Sequence, residues 1–100
     1  MLKHIVTFKL KGTSEQRLSV AKEFKEALLS LPSQIEALQS MEVGINCNPE
    51  ENWDIVLTAI VKDLDDLAVY ANHPLHLKAA SIIKDWKEDR ACVDYEFTED

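Results

Sequence analysis

Residues 2 to 11 alternate. His4, Val6, Phe8 and Leu10 fall on one side, with Lys3, Ile5, Thr7, Lys9 and Lys11 on the other. A period of two marks a strand with one face on a core, and here the apolar face carries His4. Thr13 followed three residues later by Gln16 resembles a capping box. Leu18, Ala21, Phe24, Leu28 and Leu31 then recur at helical spacing up to Pro32, which predicts a helix over 14–31. After Leu31-Pro32-Ser33 comes a short helical turn over 35–38. Met41, Val43, Ile45 and Cys47 next alternate with Glu42, Gly44 and Asn46 as a second strand, broken by Asn48-Pro49-Glu50-Glu51-Asn52. The run from Trp53 to Val61 is apolar at odd and even positions alike, as in a mid-sheet strand covered on both faces. Asp63 can cap a helix starting at Leu64, with Asp65 and Asp66 at its positive end and Leu67, Ala68 and Ala71 as its packing face. Pro74 interrupts that helix. Proline suits a first turn, so a new helix starts there and runs to 84–86, burying Leu75, Ala79, Ile82 and Trp86. A last strand sets Ala91, Val93, Tyr95 and Phe97 on one side and Cys92, Asp94 and Glu96 on the other.

The order β-α-β-β-α-β predicts a single α+β domain over 1–100 of ferredoxin-like type, with two helices on one face of a four-stranded antiparallel sheet. The other face carries Ile5, Thr7 and, by register, Val56 and Ile60, too much apolar surface to leave in water. Packing two such faces together gives a dimeric α+β barrel, so a homodimer is expected. A chain of 100 residues with 46% hydrophobic content buries a modest core of its own, which agrees with that expectation.

Charge narrows the partners. A net charge of -7 opposes attraction to phosphate backbones, so no nucleic acid is expected, and the Lys3, Lys9, Lys11 row reads as solvated or interface-facing. No apolar run approaches the ~20 residues that span a bilayer, and the N-terminus runs straight into a strand, so no membrane partner and a cytoplasmic location are expected. Cys47 and Cys92 form no Cys-x-x-Cys or Cys/His cluster in sequence and are expected to be buried free thiols. With only Gly12 and Gly44 there is no phosphate-cradling loop; neither metal nor organic cofactor is expected. Asp63-Leu-Asp-Asp66 is a helix start, since it lacks the length and glycine of a calcium loop.

The chemistry concentrates in Tyr70-Ala-Asn-His73-Pro-Leu-His76, which holds two of the three histidines and one of the two tyrosines. Imidazole titrates nearest neutrality, and a phenol beside it adds a donor. Strand parity points His4 to the helix-covered face, and a proline break can turn both of its flanks inward. His4, Tyr70 and His76 are therefore expected to converge on one cavity between sheet and helices. His73 and the strand residues Val6 and Phe8 are expected to contact a ligand there. Two plainer readings stand beside this one: His73 caps the following helix, and Tyr70 packs with its hydroxyl satisfied. A metal set of His4, His73, His76 and Asp54 is disfavoured, because two ligands straddling Pro74 do not share one regular helix face.

Met1-Leu-Lys-His4-Ile-Val-Thr-Phe8-Lys, Val43-Gly44-Ile-Asn, Leu67-Ala-Val-Tyr70-Ala-Asn-His73-Pro74-Leu-His76 and Val93-Asp94-Tyr95 resemble the stress-responsive A/B barrel (Dabb) family along almost the whole chain. The resemblance implies a dimeric α+β barrel, though not one function, since a shared fold does not fix chemistry. One branch, the plant olivetolic acid cyclase, closes a linear polyketide by aldol condensation without a cofactor. Carried over, its general-base histidine corresponds to His76, its partner tyrosine to Tyr70 and its first-strand histidine to His4, with His73 matching the other motif histidine. This chain departs at Asp54, where the cyclase has a further histidine. An aldol closure needs a base beside a carbonyl and a donor for the developing oxyanion, roles that a neutral histidine and a tyrosine can fill. Three functions follow: a cofactor-free enzyme acting on an apolar carbonyl compound, a binding protein for a small apolar ligand, or a dimeric structural protein of the stress response.

Overall fold

The computed structural model describes residues 1–98. Its elements are β1 (Leu2–Leu10), α1 (Ser14–Leu29), β2 (Leu38–Ile45), β3 (Ile55–Val61), α2 (Leu64–Asn72), α3 (Pro74–Ser81) and β4 (Lys87–Glu96). The strands form one antiparallel sheet in the order β2-β3-β1-β4. This is the expected ferredoxin-like arrangement. No helix among the described residues is long and apolar enough to cross a membrane.

The alternation in β1 sets the layers. Leu2, Val6, Phe8 and Leu10 are buried on the helix side, opposite Val61, Leu57 and Ile55 of β3, and Phe24 and Leu28 of α1 close over them. Phe8 and Phe24 meet edge to face at 5.6 Å, an arrangement that places a positive ring edge on a negative face. On the other side of the sheet, Ile5 lies between Thr58 and Val93, in the same layer as Val56, Ile60 and Tyr95. Val56, Val93 and Tyr95 are 39%, 63% and 41% exposed, so each protomer carries an uncovered apolar face.

The α1 start follows the sequence closely. The Gln16 N–H donates to Thr13 Oγ1 at 3.1 Å, and the Thr13 N–H donates to Gln16 Oε1 at 2.9 Å. Elsewhere tertiary packing overrides local pattern. Helix α1 stops at Leu29, two residues early, because the chain turns so that the Leu31 N–H donates to the Leu28 carbonyl while Leu31 stays buried. Leu18 is exposed, and Val20 packs inward instead. Over 35–38 the chain makes a single hydrogen-bonded turn, with the Leu38 N–H donating to the Ile35 carbonyl at 3.0 Å and Ile35 buried, and β2 begins at Leu38, paired with Val61. That moves the second strand three residues back and leaves Cys47 beyond its end and exposed, contrary to the expected buried thiol. Strand β3 starts at Ile55 rather than Trp53.

Helix α3 ends at Ser81, short of 84–86, and the chain turns so that Ile83 is buried while Ile82 and Trp86 are half-buried. The turn brings the Trp86 carbonyl to the Lys11 N–H at 2.7 Å, a contact no local spacing specifies. In α2 the buried side chain is Tyr70, while Ala68 is exposed.

Candidate functional site

Pro74 builds the site by the hydrogen bond it cannot make. In a continuous helix the Tyr70 carbonyl would accept from residue 74, but proline has no N–H. The carbonyl accepts from the His73 N–H instead, at 3.1 Å. His73 leaves helical geometry (φ -66, ψ 136) and becomes at once the C-cap of α2 and the N-cap of α3. Its Nδ1 accepts from the Leu75 N–H at 3.1 Å, capping α3. The Leu75 N–H, thus turned away from the Ala71 carbonyl, leaves that oxygen open, and His76 Nδ1 lies 2.9 Å from it. A carbonyl only accepts, so His76 Nδ1 carries the proton, and in the neutral ring Nε2 keeps its lone pair. Each histidine of the His-Pro-x-His step therefore repairs one consequence of the proline.

The break turns Tyr70 and His76 onto each other, with ring centroids 4.5 Å apart. His4 arrives from β1. Its neighbour on β3 is Ala59, a buried methyl that leaves height above the sheet for a ring, and Tyr70 stands edge-on to His4 at 6.3 Å. The three expected residues thus come together. Tyr70 is 1% exposed, and its hydroxyl is buried without a hydrogen-bond partner among the described residues. Burial drives the phenol well above its ordinary range, so it stays a neutral O–H donor. Burial lowers the His76 pKa, outweighing the Ala71 hydrogen bond that raises it; the charges of His4, Arg90 and His73 lower it further. His76 is neutral at pH 7.

Val6 and Phe8 lie in the hydrophobic core beside His4 on β1, and His73 uses Nδ1 in its cap. The prominent clefts lie elsewhere, and none of them is lined by His4, Tyr70 or His76, contrary to the cavity expected there. One of about 460 Å³ runs between α1 and the β2–β3 loop, lined by Arg17, Leu18, Asn46 and Asp54, and another of about 410 Å³ lies between α1 and α3. Asp54, which stands where the cyclase has a histidine, accepts from the Leu10 N–H and from Arg17 Nε, toward the other end of β1 from His4.

Sequence reasoning missed two neighbours of His4. The β1–β4 register sets Asp94 opposite His4 and Cys92 opposite Val6, and His4 Nδ1 lies 2.5 Å from Asp94 Oδ1 and 3.5 Å from Cys92 Sγ. Cys92 is thus neither isolated nor fully buried. The available signal was the parity of Cys92, Asp94 and Glu96, but the more apolar set of Ala91, Val93 and Tyr95 turns out to face the open side of the sheet.

The family model described as the stress responsive A/B barrel domain matches residues 2–97. The chain belongs to this family. No curated protein matches it significantly. Among solved structures, this Dabb chain is similar to a dimeric protein of unknown function and ferredoxin-like fold from Bacteroides fragilis, at 48% identity and TM-score 0.93, over 96% of this chain and 95% of that one. A dimeric ferredoxin-like protein of unknown function from Thermobifida fusca shares 27% identity at TM-score 0.77, over 96% of this chain and 90% of that one. The hydroxynitrile lyase of Passiflora edulis, at 14% identity and TM-score 0.73 over 99% of this chain and 94% of that one, shares the fold alone with the Dabb chain.

Proposed function

We propose that this chain works as a homodimer in which each protomer binds a small apolar carbonyl compound at His4, Tyr70 and His76 and moves a proton next to the carbonyl. The observation that carries the reading is the Tyr70 hydroxyl, buried without a partner among the described residues on a ring that packs against that of a neutral histidine. A buried hydroxyl without a bond costs about 1–3 kcal/mol, and groups left in that state call for an explanation such as a role toward a ligand. In this reading His76 Nε2 takes the proton from the carbon beside the carbonyl, and Tyr70 donates a hydrogen bond to the enolate oxygen. Neither role needs a cofactor. Val6 and Phe8 supply apolar surface beside His4, and His73 holds the α2–α3 junction. The exposed, helix-side residues Arg90 and Asp94 of β4 leave a way in beside His4.

The test is deuterium uptake at the α-carbon of a medium-chain methyl ketone in heavy water. The protein should exceed buffer, and His76→Gln should lose roughly 10²–10⁴-fold of that rate, the usual contribution of a positioned base. Exchange at the buffer rate, or equal rates for both proteins, would refute the acid-base role. The close packing of the Tyr70 and His76 rings favours a second reading, a dimeric structural protein without a ligand, and buffer-rate exchange would support it.

The dimer follows from the open face and from the dimeric similar structures. Val56→Asp would bury an unpaired charge at that interface and should shift the protein toward monomer in light scattering. A wild-type monomer at micromolar concentration would contradict the dimer.

A further inference from the structure

The pairing of β1 with β4 brings together three donor atoms from the two ends of the chain. His4 Nδ1 and Asp94 Oδ1 are 2.5 Å apart, His4 Nδ1 and Cys92 Sγ 3.5 Å, and Cys92 Sγ and Asp94 Oδ1 3.7 Å. The thiol and the carboxylate approach the same ring nitrogen. A nucleophile relay needs them on opposite nitrogens, one oriented by the other, so this is no Cys-His-Asp triad. Three donors that converge on one corner instead describe one face of a coordination shell.

We propose that His4 Nδ1, Cys92 Sγ and an Asp94 oxygen form a binding site for a divalent transition metal of the zinc type. With zinc bonds of about 2.3 Å to sulfur and 2.0–2.1 Å to nitrogen or oxygen, tetrahedral angles put sulfur roughly 3.5 Å from each light ligand and the light ligands roughly 3.3 Å apart. Both sulfur separations already fit. The remaining gap must open by less than ~1 Å, which a turn of the Asp94 side chain, 33% exposed, can supply. A thiolate disfavours magnesium and calcium, which take oxygen ligands, and the mixed sulfur, nitrogen and oxygen set suits zinc or cobalt. Three protein ligands with an outer position open to solvent is the ligand count of a reactive zinc centre, not of a closed structural one.

Binding requires the Cys92 thiolate and a lone pair on His4 Nδ1. The Cys92 thiol gives its proton to solvent, and the neutral His4 ring, whose Nδ1–H faces the Asp94 carboxylate in the metal-free protein, moves its proton to Nε2. Burial first, and then the Asp94 charge, raise the Cys92 thiol, and a cation would relieve the second of these. Arg90, two residues along β4, is exposed and can turn its charge to water. Glu96 adds a negative charge on the same side of the strand. The site shares His4 with the proposed carbonyl site but uses neither Tyr70 nor His76, so each can fail without the other.

Cobalt(II) is the probe. Titrated under reducing conditions into the intact protein, it should bind once per chain and give a near-ultraviolet thiolate-to-cobalt band that zinc bleaches. Cys92→Ser should abolish the band. Asp94→Asn, an exposed change that keeps the fold, should weaken binding by no less than the ~10–100-fold that even outer-shell partners carry. Tyr70→Phe and His76→Gln should leave both readouts unchanged. A missing band, a band that survives Cys92→Ser and so belongs to Cys47, or equal affinity in Asp94→Asn would overturn the site.

Discussion

Asp54 and Tyr70 both turn a polar group toward the interior, at opposite ends of the layer between sheet and helices, and the protein treats them differently. Asp54 is fully engaged: Oδ2 accepts from the Leu10 N–H at 2.7 Å, and Oδ1 accepts from Arg17 Nε at 3.1 Å. Arg17 also donates from Nη1 to the Gly12 carbonyl at 2.6 Å, which ties the carboxylate to the turn between β1 and α1. The Tyr70 hydroxyl, buried more deeply, bonds to nothing among the described residues. At one end the fold consumes its polar groups; at the other it leaves a donor over. Local rules of satisfaction tend to be broken where a protein does its work, which is why the second end, and not the cleft beside Asp54, is read as the site.

The largest effect should come from breaking the engaged end. Asp54→Ala leaves the part-buried Leu10 N–H without its acceptor and should lower the unfolding free energy by about 1–3 kcal/mol in urea titration. Arg17 is a third exposed, so the ion pair itself adds little to that figure. A variant as stable as the parent would erase the contrast between the two ends.

A smaller effect, confined to mildly acid pH, should come from His76. Burial sets its folded pKa below the unfolded value of 6.5. The unfolded chain therefore binds the proton first. The stability His76 lends is complete above 6.5, declines as pH falls from there through the folded value, and levels off below it. His76→Gln should remove that part of the decline, as read from unfolding midpoints at a series of pH values. An unchanged pH profile would mean that the ring is not desolvated as described.

Much of this arrangement was legible in the residues. Parity placed His4 on the helix side, Thr13 and Gln16 marked the start of α1, Asp63 that of α2, and Pro74 the break that joins Tyr70 to His76. All of these are signals spanning a few residues. What escaped depended on contacts far apart in sequence. The early start of β2 at Leu38 is fixed by pairing with Val61, and the end of α3 by the bond between Trp86 and Lys11. The meeting of Cys92 and Asp94 with His4 needs the β1–β4 register, since 88 and 90 positions separate the partners along the chain. A pattern read one element at a time holds no record of register. The hydroxyl of Tyr70, without a partner among the described residues, was invisible for the same reason: a tyrosine on a helix face reads alike whether its oxygen is bonded or not.

The smallest expected change is also the most telling. The Tyr70 hydroxyl is available to a ligand only if it takes no part in the fold's own hydrogen bonding, and the unfolding free energy of Tyr70→Phe measures that directly. Removing a buried hydroxyl that has no partner should leave stability within about 0.5 kcal/mol of the parent, or raise it, because the penalty for desolvating the oxygen disappears with the oxygen. A loss of about 1 kcal/mol or more would show that the hydroxyl is held by the folded protein and would contradict its availability to a ligand.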